Sequence, residues 1–180
     1  MNKSNDHTSS NLGKWMVYAA WILFLGLLTV FFNNYLAKQN NPNTTVHGQT
    51  TPDQSIEVVL QRNRYGHYVA NGEINGNPVT FLLDTGATTI SIPKKTADRL
   101  HIKKGAPLSA HTANGTVTVY HTKLDSVAIG PIILHQLRGD INPNMGGEEI
   151  LLGMNFLKQL ELVQRGDRLI LRQLSANISF

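Results

Sequence analysis

The chain has 180 residues, 41% of them hydrophobic, a size that suits one globular domain with an appendage and leaves little room for two independent cores. It contains no cysteine, which excludes disulfides, thiolate nucleophiles and cysteine-ligated zinc. The net charge is +4, but the basic residues are scattered; the one tight cluster, Lys94, Lys95, Arg99, Lys103 and Lys104, has no aromatic residues interleaved to stack bases, so it reads as a solvated face and no nucleic-acid partner is expected.

Trp15 to Phe32 form an uncharged apolar run that Tyr35, Leu36 and Ala37 extend, long enough to cross a bilayer as a helix over residues 15–37. Trp15, Tyr18 and Tyr35 near its ends fit interfacial belts. The run exceeds the apolar core of a signal peptide and no A-x-A-like site follows before Lys38, so a retained anchor is expected. Lys3, Lys14 and the amino terminus precede the span while only Lys38 follows closely. The positive-inside rule then places residues 1–14 in the cytoplasm and the remainder outside it. Residues 38–54 are rich in Asn, Thr, Pro, Gly and Gln and almost devoid of large apolar side chains, which predicts a flexible linker.

Residues 55–180 read as a mainly β domain, because short apolar or alternating runs are punctuated by Gly, Asn and Pro. Ser55 to Gln61 is a first strand. His67 to Ile74 and Pro78 to Leu83 form a hairpin around Asn75-Gly76, a pair that readily takes the positive φ angles of tight turns. Thr89 to Ile92 is a short strand, and Pro93 opens a helix to about Leu100. Leu108 to Thr112 and Thr116 to Thr122 flank a mobile tip at Ala113-Asn114-Gly115, suited to a lid. Leu124 to Ile129 and Ile132 to Leu137 make a third hairpin, followed by a polar loop from Asn142 to Glu149. The buried run Ile150-Leu151-Leu152-Gly153 leads into a short helix near Met154 to Leu160, and Glu161 to Gln164 with Arg168 to Leu174 close the domain as a hairpin.

Phe81-Leu82-Leu83-Asp84-Thr85-Gly86-Ala87-Thr88 carries the chemistry: an apolar run drives into one carboxylate and then a tight turn, placing an acid where water is scarce. Burial disfavours an ionised carboxylate, so such an Asp needs partners or a mechanism that uses it. The bland alternative is an Asx turn capping a strand, which would not need the apolar run before it. His67, His101, His111, His121 and His135 form no i, i+3 or i, i+4 pair, and no metal site is expected. No nucleophile elbow, phosphate-binding loop or His-Glu-x-x-His motif competes.

This stretch together with Ile150-Leu151-Leu152-Gly153 resembles the retropepsin-like aspartic proteases, especially the bacterial group with one amino-terminal membrane span, over most of Ile56 to Leu174. The resemblance implies a closed β-barrel or sandwich with one or two short helices. It implies an aspartic endopeptidase that needs no cofactor and hydrolyses peptide bonds with water activated by two carboxylates sharing a proton. The chain holds a single Asp-Thr-Gly, so the resemblance implies a homodimer with Asp84 from each copy at the two-fold axis. It makes Asp84 the catalytic acid and base, Thr85 the hydroxyl that locks the two turns together, and Gly86 the point of close approach to a peptide or protein substrate. The hairpin around Ala113, Asn114 and Gly115 becomes the flap, and Leu151, Leu152 and Gly153 pack beneath the site. Ala87 matches the viral enzymes, whereas two-lobed relatives place a hydroxyl there, so a less acidic optimum than theirs is expected. Thr88 departs from the viral pattern, in which an acid grips the substrate, and the flap lacks their glycine-rich tip. The implied setting is a bacterial inner membrane with the catalytic domain in the periplasm. Two rival readings keep the fold: a binding or scaffolding module without turnover, and a protease limited to processing its own stalk.

Overall fold

Turn chemistry and apolar alternation set the strand order of the domain. In the computed structural model, which describes residues 6–112 and 115–174, the elements in chain order are α1 (Asp6–Asn40), β1 (Gly48–Thr50), β2 (Ile56–Gln61), β3 (Val69–Ile74), β4 (Asn77–Leu83) and β5 (Ile90–Pro93). They continue with α2 (Lys94–Arg99), β6 (Pro107–Thr112), β7 (Gly115–Ile129), β8 (Ile132–Asn142), β9 (Ile150–Leu152), α3 (Met154–Leu157), β10 (Glu161–Arg165) and β11 (Arg168–Gln173). Asn75 and Gly76 both have positive φ, 51° and 74°, the backbone that a two-residue hairpin turn between β3 and β4 requires.

The chain divides into two compact units with the boundary between Gln39 and Asn40. In the first, α1 is a single helix whose segment Gly13–Asn40 is long and apolar enough to cross a membrane, with its apolar side chains exposed. Edge-on aromatic contacts join Trp15 to Tyr18 and Trp21 to Phe24, and Phe31 stacks on Tyr35.

The second unit is built of two sheets. Seven strands run in the order β3-β4-β9-β5-β8-β7-β6, and β3 also pairs with β7 through Glu73↔Ala128 and Ile74↔Val127. That extra pairing closes six of the strands into a ring, so the sheet is a barrel with β6 hanging outside it. Ile74, Phe81, Ile90, Leu124, Ile150 and Leu152 fill the interior with no exposed surface, and Phe156 of α3 joins them. A second sheet, β1-β2-β11-β10, is antiparallel throughout, with Val58, Leu60 and Leu171 turned into the same core. On its outer face Arg172 of β11 bridges Glu57 of β2 and Glu161 of β10.

Two expectations change. Thr116–Thr122 and Leu124–Ile129 are one long strand, β7. Its buried positions shift from Thr122 and Leu124 to Val127 and Ile129, opposite Gln136, whose φ is +54°. A strand that exchanges faces midway breaks period-two alternation, which is why the sequence reads as two strands.

Residues 38–54 also depart from a flexible linker. Residues 38–40 belong to α1, β1 pairs with β2, and Thr51 closes a turn by donating its backbone N–H to the Ser55 carbonyl at 2.9 Å. Between them Asn43 is 5% exposed. Its Nδ2 donates to the carbonyls of Gln61 (2.9 Å) and Val69 (2.7 Å), and its Oδ1 accepts from the Gln61 N–H (2.7 Å). Asn41 donates to Asn71 Oδ1 at 2.8 Å, and Asn71 donates back to the Thr44 carbonyl at 3.0 Å. Beside the backbone bridge of Asn43 to Ala70, these amide side chains act as backbone surrogates, tying β2 to β3 where no ladder joins the two strands.

Candidate active site

The site grows from two strands ending side by side. β4 and β9 run parallel, with Leu82 opposite Leu151 and Leu83 opposite Leu152. The Asp84 N–H carries this pairing one residue further by donating to the Leu152 carbonyl at 3.1 Å, while the Leu83 N–H is held by Tyr68 at 3.0 Å. The chain is therefore held on both sides as it reaches the acid, by β9 at Asp84 and by the residue before β3 at Leu83.

Beyond Asp84 the chain reverses. The Ala87 N–H donates to the Asp84 carbonyl (3.2 Å), and the Gly86 N–H donates to Asp84 Oδ1 (2.8 Å), so the carboxylate is oriented by its own turn. A Cβ on Gly86 would stand 3.2 Å from that same Oδ1, crowding the acid. The far side of the turn rests on α3: the Met154 N–H donates to the Ala87 carbonyl (2.8 Å) and the Asn155 N–H to the Thr88 carbonyl (3.0 Å). Gly153 makes this docking possible. A Cβ there would lie 2.3 Å from the Thr89 carbonyl and 2.7 Å from that of Ala87, closer than any side chain tolerates.

Asp84 differs from the expectation of an acid shut away from water. Phe81 is fully buried, but Asp84 is only partly buried and Thr85, Gly86 and Thr88 are exposed. The apolar run seals the barrel and then emerges from its end, so in a single chain the turn projects into solvent.

Asp84, Thr85, Gly86, Ala87 and Thr88 are thus brought together with Leu151, Leu152 and Gly153, of which Leu152 and Gly153 are buried. Of the flap residues, Ala113 and Asn114 lie outside the described residues. Gly115 opens β7 and pairs with Thr112, so the two arms of the hairpin are present. Among the described residues no three His, Asp or Glu side chains are arranged to hold a metal.

Three residues beside the turn escape the sequence reading. Thr89 Oγ1 donates to Asp140 Oδ2 at 2.5 Å, and His121 Nδ1 lies 2.9 Å from Asp140 Oδ1. Asp140 is 8% exposed and lies on β8 beyond the strand end expected at Leu137. The available signal was the alternation that continues through Arg138-Gly139-Asp140-Ile141. The partners themselves stand 51 and 19 residues away, where no local pattern reveals them.

Residues 70–159, half of the chain, match the family described as "gag-polyprotein putative aspartyl protease". A protein of Sinorhizobium sp, called the uncharacterized protein in the cobV 5' region, is 32% identical over 127 residues, covering 68% of this chain and 54% of that protein. The uncharacterized protein RP867 of Rickettsia prowazekii is 30% identical over 151 residues, covering 79% of this chain and 64% of the relative. The chain therefore spans between about half and two thirds of the length of these curated relatives. Among solved structures, a retropepsin-like aspartic protease from Rickettsia conorii superposes with a TM-score of 0.55 at 26% identity, over 72% of this chain and 95% of that one. With its acid-bearing turn hung from the parallel pair β4 and β9 of a closed barrel, this chain belongs to that aspartyl protease family and has the retropepsin-like fold.

Proposed function

We propose that the chain is a membrane-anchored aspartic endopeptidase, active as a homodimer in which two Asp84 carboxylates activate one water. The observation that carries this reading is the state of Asp84 in one chain: oriented by Gly86, anchored to Leu152, and presented to solvent with Thr85 and Gly86 beside it. Aspartic proteolysis needs one carboxylate to accept a proton from water and a second, protonated, to donate to the substrate carbonyl. Two like charges a few ångströms apart do not both ionise, so a juxtaposed pair holds the shared proton that this division requires. The sequence has one Asp-Thr-Gly. The second carboxylate then comes from another copy through an isologous contact, with Thr85 tying the two turns and the β6–β7 hairpin covering the peptide.

The apolar α1 suits a single-pass anchor in a bacterial inner membrane, with residues 1–14 cytoplasmic and the domain periplasmic. Tethering to a bilayer raises the effective concentration of partner copies and favours the dimer. Water is the nucleophile, and the reaction needs no cofactor. The packing of residues 41–50 onto the domain disfavours a reading in which the chain mainly cleaves its own stalk, because a substrate must offer free extended backbone.

The test is cleavage profiling of the full chain in detergent against a library of unstructured peptides, beside Asp84→Asn. Cleavage by the wild type, lost in a folded and dimeric variant, supports the enzyme. A wild-type dimer inert across pH 3–8, a window of about five units that brackets carboxylate-pair catalysis, would make the fold a binding module.

A further inference from the structure

Among the described residues Asp140 is the one buried carboxylate, and the proteolytic mechanism makes no use of it. Both of its oxygens are engaged. Oδ2 accepts from Thr89 Oγ1 at 2.5 Å, and Oδ1 lies 2.9 Å from His121 Nδ1. A carboxylate has no hydrogen to give, so the imidazole carries its proton on Nδ1 and donates it.

The two donors belong to the two segments that the proposed function brings to a peptide. Thr89 is the last residue before β5, at the exit of the turn that carries Asp84, and its carbonyl is wedged against Gly153. His121 lies in β7 at the base of the β6–β7 hairpin. There its backbone is pinned on the side away from β8: its N–H donates to the Ala106 carbonyl (3.0 Å), and its carbonyl accepts from the Gly105 N–H (2.8 Å). Asp140 sits directly across the ladder from His121 and, on its other side, beside Ser91 of β5. No backbone pairing joins β5 to β7, since β8 lies between them. The side chain of Asp140 spans that gap.

We propose that Asp140 is a positioning residue for peptide cleavage, clamping the exit of the catalytic turn to the base of the covering hairpin so that both grip the substrate as one body. The proposal rests on the protease reading for its kinetic consequence and on geometry alone for its mechanical one. Asp140→Ala removes both acceptor oxygens at once and leaves Thr89 and His121 with no common partner, whereas Asp140→Asn can keep both bonds, because a hydroxyl and an imidazole can each accept from an amide N–H.

The test compares wild type, Asp140→Ala, Thr89→Val and Thr89→Ser as full chains in detergent, each first shown to melt cooperatively. Backbone hydrogen exchange is expected to accelerate in Asp140→Ala at residues 87–92 and at 115–122 together, with β2 and β11 unchanged. KM for an eight-residue peptide is expected to rise at least about tenfold, as hydrogen bonds to a charged group are lost, while kcat stays near wild type. Thr89→Val should show the same changes in weaker form, Thr89→Ser should stay near wild type, and the double variant Asp140→Ala/Thr89→Val should be no worse than Asp140→Ala alone. Independent effects of the two changes, or unaltered exchange and KM in the folded variants, overturn the clamp. If Asp140→Ala does not fold, the Thr89→Val and Thr89→Ser pair decides. A wild type without turnover would remove the protease reading, and the exchange measurement would still confirm or overturn the clamp.

Discussion

Replacing Asn43 by Ala removes three hydrogen bonds: two from Nδ2 to the Gln61 and Val69 carbonyls and one from the Gln61 N–H to Oδ1. At a net 0.5–1.5 kcal/mol each, their loss costs about 2–4 kcal/mol, with the bond to Val69 lost from a buried place. For a domain of this size that is a fall in Tm of about 10 °C. The assay is urea and thermal unfolding of the compact unit beginning at Asn40, where the midpoint should fall with the slope unchanged. Asn43→Asp sharpens the test. It keeps the acceptor for Gln61 but turns a carboxylate oxygen toward two carbonyls, so it should destabilise at least as much as Ala. A Tm within about 2 °C of wild type for either variant would refute the argument that residues 41–50 are part of the domain. The same logic predicts that a fragment starting at Gln54 folds less stably than one starting at Asn40, since it lacks both β1 and Asn43.

Gly153→Ala places a methyl 2.3 Å from the Thr89 carbonyl and should both lower Tm and abolish cleavage; a variant with wild-type activity would mean that the turn does not rest on α3 as described. Ala87→Ser offers a hydroxyl that can donate to the charged form of Asp84, so the acid limb of the kcat/KM profile should move to lower pH; a move upward, or none, counts against this. The Asp53 carboxylate is held below the usual aspartate value, first by the Thr51 hydroxyl and also by that of Ser55. A depressed folded pKa contributes stability above the unfolded pKa that is lost as pH falls through the folded one. The destabilisation by Asp53→Asn should therefore be present near neutrality and fade in acid, and unfolding curves that differ equally at both ends of that range would argue otherwise.

Much of the barrel is legible because its strands obey local rules. Asn75-Gly76, Gly130-Pro131 and Gly166-Asp167 mark real turns, with Gly130 and Gly166 at φ +56° and +58°. Ile150-Leu151-Leu152 is apolar because it is a central strand between β4 and β5. The acid turn is legible because its residues are contiguous and the two bonds that shape it, from the Ala87 N–H to the Asp84 carbonyl and from the Gly86 N–H to Asp84 Oδ1, close locally. What stays hidden is held by distant partners. Asn43 reads as coil because composition weighs its polarity, while its acceptors lie 18 and 26 residues away. Asp140 reads as one more strand-end charge until the fold brings Thr89 and His121 to it. The exposure of Asp84 in a single chain is likewise hidden, because three apolar residues before an acid show that a strand is buried, not where along it the strand leaves the core.

The tight turn at Asn75-Gly76 and the acid at position 84 stand at opposite ends of β4, whose seven residues form a ruler about 23 Å long at roughly 3.3 Å per step. Removing one residue from that ruler would shorten it only slightly but would rotate every following side chain to the other side, since successive positions alternate. The aspartate would then face the oily inside of the hoop instead of its rim. The spacing between hairpin and acid is thus as much a part of the chemistry as the carboxylate itself.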